Sequence, residues 1–137
     1  MEDMKKEMPV LSIRNFSKTY RGGKRAVADL SLDICAGDIF GFIGHNGAGK
    51  TTTLKAVSGI LDFEAGEIRI DGHSIQEEPM WCKERMAYLP DNPDLYEYLT
   101  GIQYLNFIGD VYRVPGKVRT ERIGELAEQF GITRSLG

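Results

Sequence analysis

One segment restricts the possible fold more than any other feature of the sequence. Residues 44–51 match the pattern G-x-x-x-x-G-K-[ST] at every fixed position. Four fixed positions occur together by accident in about one chain of this length in a few hundred. Residues 39–43 before the motif are apolar on both faces, which predicts a central parallel strand, and residues 50–60 after it have a helical pattern. Strand, glycine-rich loop and helix in this order predict an α/β fold and argue against a chance match.

The residue types in this loop are suited to holding phosphate groups. Gly44, Gly47 and Gly49 allow the backbone to curl so that successive N–H groups point inward, and the helix that follows adds the positive end of its dipole. Lys50 is expected to reach the β- and γ-phosphates, and the Thr51 hydroxyl to join the Mg²⁺ shell. The predicted phosphate-binding residues are Gly44, His45, Asn46, Gly47, Ala48, Gly49, Lys50, Thr51 and Thr52, the last as a donor to the α-phosphate.

Composition excludes several other classes of protein. The formal net charge is −3, which argues against a nucleic-acid-binding domain because such domains normally carry a basic field. Cys35 and Cys82 are isolated, so neither a disulfide nor a metal site is expected. No apolar run approaches the ~18 residues that a membrane helix needs, and residues 1–8 do not resemble a signal peptide. We therefore expect a soluble cytoplasmic protein that reaches a membrane only through a partner.

Alternating polarity and turn residues predict the other elements of the chain. The Asp71-Gly72 pair is a strong turn signal, and Thr100 with Gln103 forms a capping box at the start of a helix. No internal repeat or domain boundary is visible. Strands are predicted at residues 10–16, 30–34, 66–70 and 86–89, and helices after Thr100 and at residues 118–130.

The amino-acid sequence around the loop resembles that of the ATP-binding subunits of ABC transporters. The similar segments are residues 45–48, 51–54, 58–61, 65–68 and 70–72, with residues 15–20 and 26–32 upstream. The resemblance extends from about Val10 to Leu136 and is strongest to bacterial exporter and drug-resistance ATPases. It implies a P-loop NTPase fold with a RecA-like core and an antiparallel β subdomain. Residues 1–137 would be the N-terminal part of one such domain, with the β subdomain and loop core at about 1–89 and the start of a helical subdomain at about 90–137.

The resemblance also assigns roles to residues outside the loop. Tyr20 would stack on the adenine of ATP, a contact worth about 1–3 kcal/mol for an aromatic ring on a base. The alternative is that Tyr20 is a partly buried aromatic at a strand end. Val27 would pad the same ring or belong simply to the core. Asp91 occupies the position of the family's glutamine loop, where a carboxylate can bind Mg²⁺ directly or through water. The alternative is that Asp91 is a turn residue beside prolines.

An apolar and aromatic cluster precedes the capped helix. Its members are Leu95, Tyr96, Tyr98 and Leu99. By the resemblance they would form the docking surface for a transmembrane permease subunit, although they could instead pack on the next helix.

Three further motifs of the family are not found in the sequence. They are a serine-glycine signature, an apolar strand ending in Asp-Glu, and a switch histidine. We therefore expect a truncated chain that binds ATP without efficient hydrolysis and leaves open sheet edges. In the intact protein two such domains would sandwich ATP and drive a permease on the inner face of the membrane. The alternatives are a soluble ABC-type ATPase of translation or DNA repair, or a binding module without turnover.

Overall fold

The computed structural model describes residues 8–92, 96 and 98–137. They form two compact units, Met1–Leu89 and Pro90–Gly137. The first unit contains a four-stranded sheet and two helices, and the second contains two further helices and a short 3₁₀ turn. In chain order the elements are β1 (Leu11–Thr19), β2 (Arg25–Ile34), α1 (Lys50–Val57), β3 (Ala65–Ile70), β4 (His73–Ser74), α2 (Pro79–Lys83), α3 (Gly101–Val111), α4 (Gly116–Gln129) and the 3₁₀ turn Thr133–Ser135.

The sheet of the first unit is antiparallel, with the strand order β2-β1-β3-β4. Strand β1 lies in the middle, where Ile13 faces Leu32 of β2 on one side and Ile68 of β3 on the other. Strands β3 and β4 are joined by the two-residue turn Asp71-Gly72, in which both residues have positive φ, 46° and 83°. Positive φ at both central residues is the type I′ geometry that hairpins favour, so the predicted turn is confirmed.

A single hydrophobic cluster holds this unit together. Phe16 and Ile13 of β1 and Ile68 of β3 are almost completely buried. The Phe16 ring meets the Phe63 ring edge to face, with 5.2 Å between centroids. Ala56 of α1, Cys82 of α2 and Ile75, which follows β4, belong to the same cluster, so the sheet and both helices share one core.

Helix α2 was missed by the sequence patterns because five residues are too few to show a helical period. Its one local signal is Pro79 at the first helical position. The Trp81 ring of α2 is stacked between two side chains. The His73 imidazole lies 3.6 Å away between centroids, and the Arg85 guanidinium carbon lies 3.5 Å from the ring centroid. Trp81 therefore serves to pack α2 against β4.

Two predicted strands are absent from the structure. Residues 39–43 and 86–89 have no strand conformation, and the prediction of a buried parallel strand before the loop was wrong. Ile39 is fully exposed and Ile43 is 94% exposed. A parallel strand needs a hydrogen-bonded neighbour, and within the described part of the chain the four-stranded sheet pairs with neither segment. The apolar sequence alone therefore does not produce the strand.

Helix α3 of the second unit begins with the predicted capping box. The Gln103 N–H donates to the Thr100 hydroxyl at 3.4 Å, and the Thr100 N–H donates to the Gln103 side chain at 2.9 Å. Arg119 of α4 fastens the two helices by donating to the Asp110 carboxylate at 2.6 Å and to the Asn106 carbonyl at 3.0 Å. Helix α4 begins two residues before the predicted start. None of the helices in the described residues combines the length and apolarity required to span a membrane.

A matched pair of isoleucines tests this assignment of the core. We expect Ile68→Ala to lower the free energy of unfolding by about 2–5 kcal/mol, because Ile68 is 1% exposed. Ile43→Ala should change it by less than about 0.5 kcal/mol, because Ile43 lies outside the core. Urea unfolding followed by circular dichroism measures both. A large loss in Ile43→Ala would mean that residues 39–43 are packed in solution.

Candidate functional site

The start of helix α1 is built around a left-handed glycine. Gly49 caps the helix with φ 90° and ψ 4°, a conformation that side chains disfavour. A Cβ on Gly49 would lie 2.5 Å from the Ala26 carbonyl oxygen and 2.8 Å from a Val27 methyl carbon. Strand β2 therefore presses directly against the end of the glycine-rich loop, and only glycine fits between them.

The first turn of α1 presents free backbone donors. The first helical bond runs from the Thr53 N–H to the Gly49 carbonyl at 2.9 Å, and the Thr53 hydroxyl donates to the same carbonyl at 3.0 Å. The N–H groups of residues 50–52 precede this bond and have no carbonyl partner within the helix. No acidic side chain lies in this turn. The positive end of the helix dipole is therefore not neutralised by a neighbouring carboxylate, which favours an anionic ligand.

The Lys50 side chain folds back over the loop. Its ammonium donates to the Gly44 carbonyl and, at 2.8 Å, to the His45 carbonyl. The loop is curled further by a hydrogen bond from the Ala48 N–H to the His45 carbonyl at 3.1 Å. An ammonium has three donors, so these two bonds within the described residues leave one N–H for another acceptor. Residues 44–48 are exposed, so a ligand can reach the charge.

The structure brings Tyr20 to the same helix. The Tyr20 hydroxyl oxygen lies 3.2 Å from the Thr52 hydroxyl oxygen, and either atom can be the donor. Thr52 is buried, at 8% exposure, whereas Thr51 beside it is exposed and Tyr20 is 40% exposed. No spacing rule connects residues 32 positions apart, so this contact was not predictable from the sequence.

A groove of about 570 Å³ borders Tyr20 on the surface of the first unit. Within its wall the Lys18 ammonium donates to the Glu64 carboxylate at 3.0 Å, which lowers the pKa of Glu64 below its usual value. The groove is lined chiefly by Lys18, Tyr20, Arg21, Leu61, Asp62 and Glu64. It offers space for a flat ring beside the exposed part of Tyr20.

The remaining predicted site residues are placed as follows. Val27 is a core residue that also touches the loop through Gly49. Asp91 is exposed and belongs to the second unit, and its role as a metal ligand stays a prediction. Among the described residues no group of three or more His, Cys, Asp or Glu side chains could hold a metal ion. The exposed hydroxyl of Thr51 fits Mg²⁺ in the usual manner, in which phosphates and waters supply most ligands.

Helix α1 thus begins at Gly49, which is packed tightly against β2. The backbone N–H groups of its first turn have no partner within the helix, and the Lys50 side chain lies across the preceding loop. These features are typical of the P-loop class of nucleotide-binding proteins. A protein-family model described as ABC transporter matches residues 27–135. The chain belongs to the ABC transporter family, and both the resemblance and the predicted fold class are confirmed.

Individual relatives agree with this assignment. The chain is 36% identical over 124 residues to the uncharacterized ABC transporter ATP-binding protein YhcH of Bacillus subtilis, covering 90% of this chain and 39% of that protein. It is 36% identical over 118 residues to the choline transport ATP-binding protein OpuBA of the same organism, covering 85% of this chain and 31% of that protein.

The fold agrees as well. A solved structure described as the ATP binding subunit of an ABC transporter superposes with a TM-score of 0.82 at 29% identity, covering 93% of this chain and 52% of that one. The chain therefore spans about a third to a half of the length of these relatives.

Two loop glycines with similar backbone geometry test the contact with β2. At Gly49 and Gly47, with φ of 90° and 85°, alanine should cost about 1–2 kcal/mol of backbone strain. Only at Gly49 does a Cβ overlap neighbouring atoms, whereas Gly47 faces open space. We expect Gly49→Ala to lose about 1–3 kcal/mol more than Gly47→Ala in urea unfolding. Equal losses would show that β2 does not support the loop.

Proposed function

We propose that this chain binds the triphosphate of ATP at the loop and first turn of α1, as the nucleotide-binding part of an ABC transporter. The observation that carries the proposal is the Lys50 ammonium lying over loop carbonyls at the start of a helix whose first turn has free N–H donors. Membership of the family supports ATP as the nucleotide. The roles of individual residues follow from their chemistry.

Each polar group at the site has a defined role in this proposal. Lys50 would exchange loop carbonyls for β- and γ-phosphate oxygens, which are stronger acceptors for a cation. The backbone N–H groups of the loop and first turn would hold the same oxygens. Thr51 would contribute its hydroxyl to Mg²⁺, which neutralises phosphate charge when bound. Thr52 would donate to the α-phosphate, and Tyr20 would stack on the adenine, with Val27 behind the loop.

The second unit is proposed to face the transport partner. Tyr96 packs on α3, with its ring centroid 6.2 Å from that of Tyr104 and 5.8 Å from that of Phe107. Tyr98 remains 80% exposed. Two leucines were also predicted to belong to this cluster. Leu99 is half-buried, and Leu95 lies outside the described residues. The cluster therefore combines helix packing with an exposed aromatic ring suited to a permease subunit.

The activity of the intact transporter is part of the same proposal. Two ATP-binding domains would enclose ATP between them and drive a transmembrane permease, which would hold them at the inner face of the membrane. Asp91 would bind Mg²⁺ or its water.

The first test removes the positive charge of the loop. Lys50→Ala should weaken Mg-ATP binding about tenfold or more, because a charge-assisted hydrogen bond contributes about 1.5–3 kcal/mol. Lys55→Ala, in the last turn of the same helix, is the matched control and should bind normally. Isothermal titration calorimetry measures both. Equal affinities in the two variants would contradict the phosphate-loop assignment.

The second test separates binding from turnover. The phosphate-holding segment, residues 44–52, contains no carboxylate that could orient an attacking water. We therefore expect the isolated chain to bind ATP but to release phosphate at a rate close to that of buffer. A malachite-green assay under saturating Mg-ATP measures the rate. Release that is fast and abolished by Lys50→Ala would show that this chain alone assembles a catalytic centre.

A further inference from the structure

We propose that the hydrogen bond between Tyr20 and Thr52 fixes the Tyr20 ring for stacking on the base, so that the Tyr20 hydroxyl contributes to ATP affinity separately from the ring. The inference rests on the proposed function, because it concerns how the same site recognises the nucleoside end of ATP. Tyr20 acts here as the stacking residue and Thr52 as its positioning residue.

The contact joins two groups that differ in freedom. Thr52 is 8% exposed, and its backbone belongs to the first turn of α1. Tyr20 is 40% exposed, and a tyrosine side chain can occupy several staggered rotamers. A hydrogen bond of 3.2 Å to a fixed hydroxyl restricts the ring to one orientation. The conformational entropy of the ring is therefore lost before the base binds, and binding the base does not have to supply that free energy.

The backbone of Tyr20 is fixed as well. Its N–H donates to the Lys24 carbonyl at 2.9 Å, and its carbonyl accepts from the Gly23 N–H at 3.1 Å, within the turn between β1 and β2. Strand β2 of the same hairpin supports Gly49 through Ala26 and Val27. One hairpin therefore contacts both the loop end and the helix. This arrangement fixes the position of the Tyr20 ring relative to the phosphate site.

The Thr52 hydroxyl can form hydrogen bonds to the ligand and to Tyr20 at the same time. A threonine hydroxyl has one hydrogen to donate and two lone pairs that accept. If Tyr20 donates to Thr52, the hydrogen of Thr52 remains available for an α-phosphate oxygen. In the nucleotide complex Tyr20 would therefore donate to Thr52, and Thr52 would donate to the phosphate.

The test compares two ligands, Mg-ATP and inorganic tripolyphosphate, by titration calorimetry. Tyr20→Phe keeps the ring but loses the hydroxyl, and we expect it to weaken ATP binding about three- to tenfold. Binding of tripolyphosphate, which has no base, should be unchanged. Tyr20→Ala should weaken ATP binding further, because the ring is also lost. Tyr112→Phe makes the same chemical change at an exposed tyrosine and should bind both ligands normally.

A double-mutant cycle shows whether the two hydroxyls act together. Thr52→Val keeps the shape of the side chain and should weaken both ligands. Tyr20→Phe combined with Thr52→Val should bind ATP no more weakly than Thr52→Val alone. Thermal unfolding of every variant identifies any that fail to fold.

Several results would overturn the inference while leaving the proposed function intact. They are normal ATP affinity in Tyr20→Phe, equal weakening of both ligands by Tyr20→Phe, or additive losses in the double variant. Failure of the unmodified protein to bind either ligand would instead overturn the proposed function.

Discussion

The contact between Gly49 and strand β2 is the constraint on which the site depends. The backbone of Gly49 lies so close to Ala26 and Val27 that a single added carbon would overlap both. This contact sets where the loop ends and where helix α1 begins, because the left-handed glycine is also the helix cap. It also ties the loop to the hydrophobic core, since Val27 of β2 contacts Gly49 and is a core residue. The positions of Lys50, Thr51 and Thr52 are consequences of this one close approach.

The loop is held in a curled form by its own lysine. The Lys50 ammonium donates to the carbonyl oxygens of Gly44 and His45, whose partial negative charge disfavours a nearby phosphate. Arrival of an anion would therefore replace weak acceptors by strong ones without moving the helix. The hairpin of β1 and β2 supports both the loop end and Tyr20. The phosphates and the base of a nucleotide would therefore contact groups that are held by the same hairpin.

Local signals in the sequence were sufficient for some features and not for others. The loop, the Asp71-Gly72 turn and the Thr100 capping box were predictable because each depends on residues close together in the chain. The strand at residues 39–43 was not, because a parallel strand exists only when a neighbour completes its ladder. The contact between Tyr20 and Thr52 also escaped prediction, since the fold alone brings these residues together.

The stacking of Trp81 has a practical consequence. The sequence contains one tryptophan, so the intrinsic indole emission of the protein originates from a ring enclosed by His73 and Arg85. The Arg85 guanidinium interacts with the electron density of the indole face, so a change in this contact alters the surroundings of the emitting ring. Trp81 fluorescence can thus report on the contact between α2 and β4, and local unfolding there can be followed without attaching a dye.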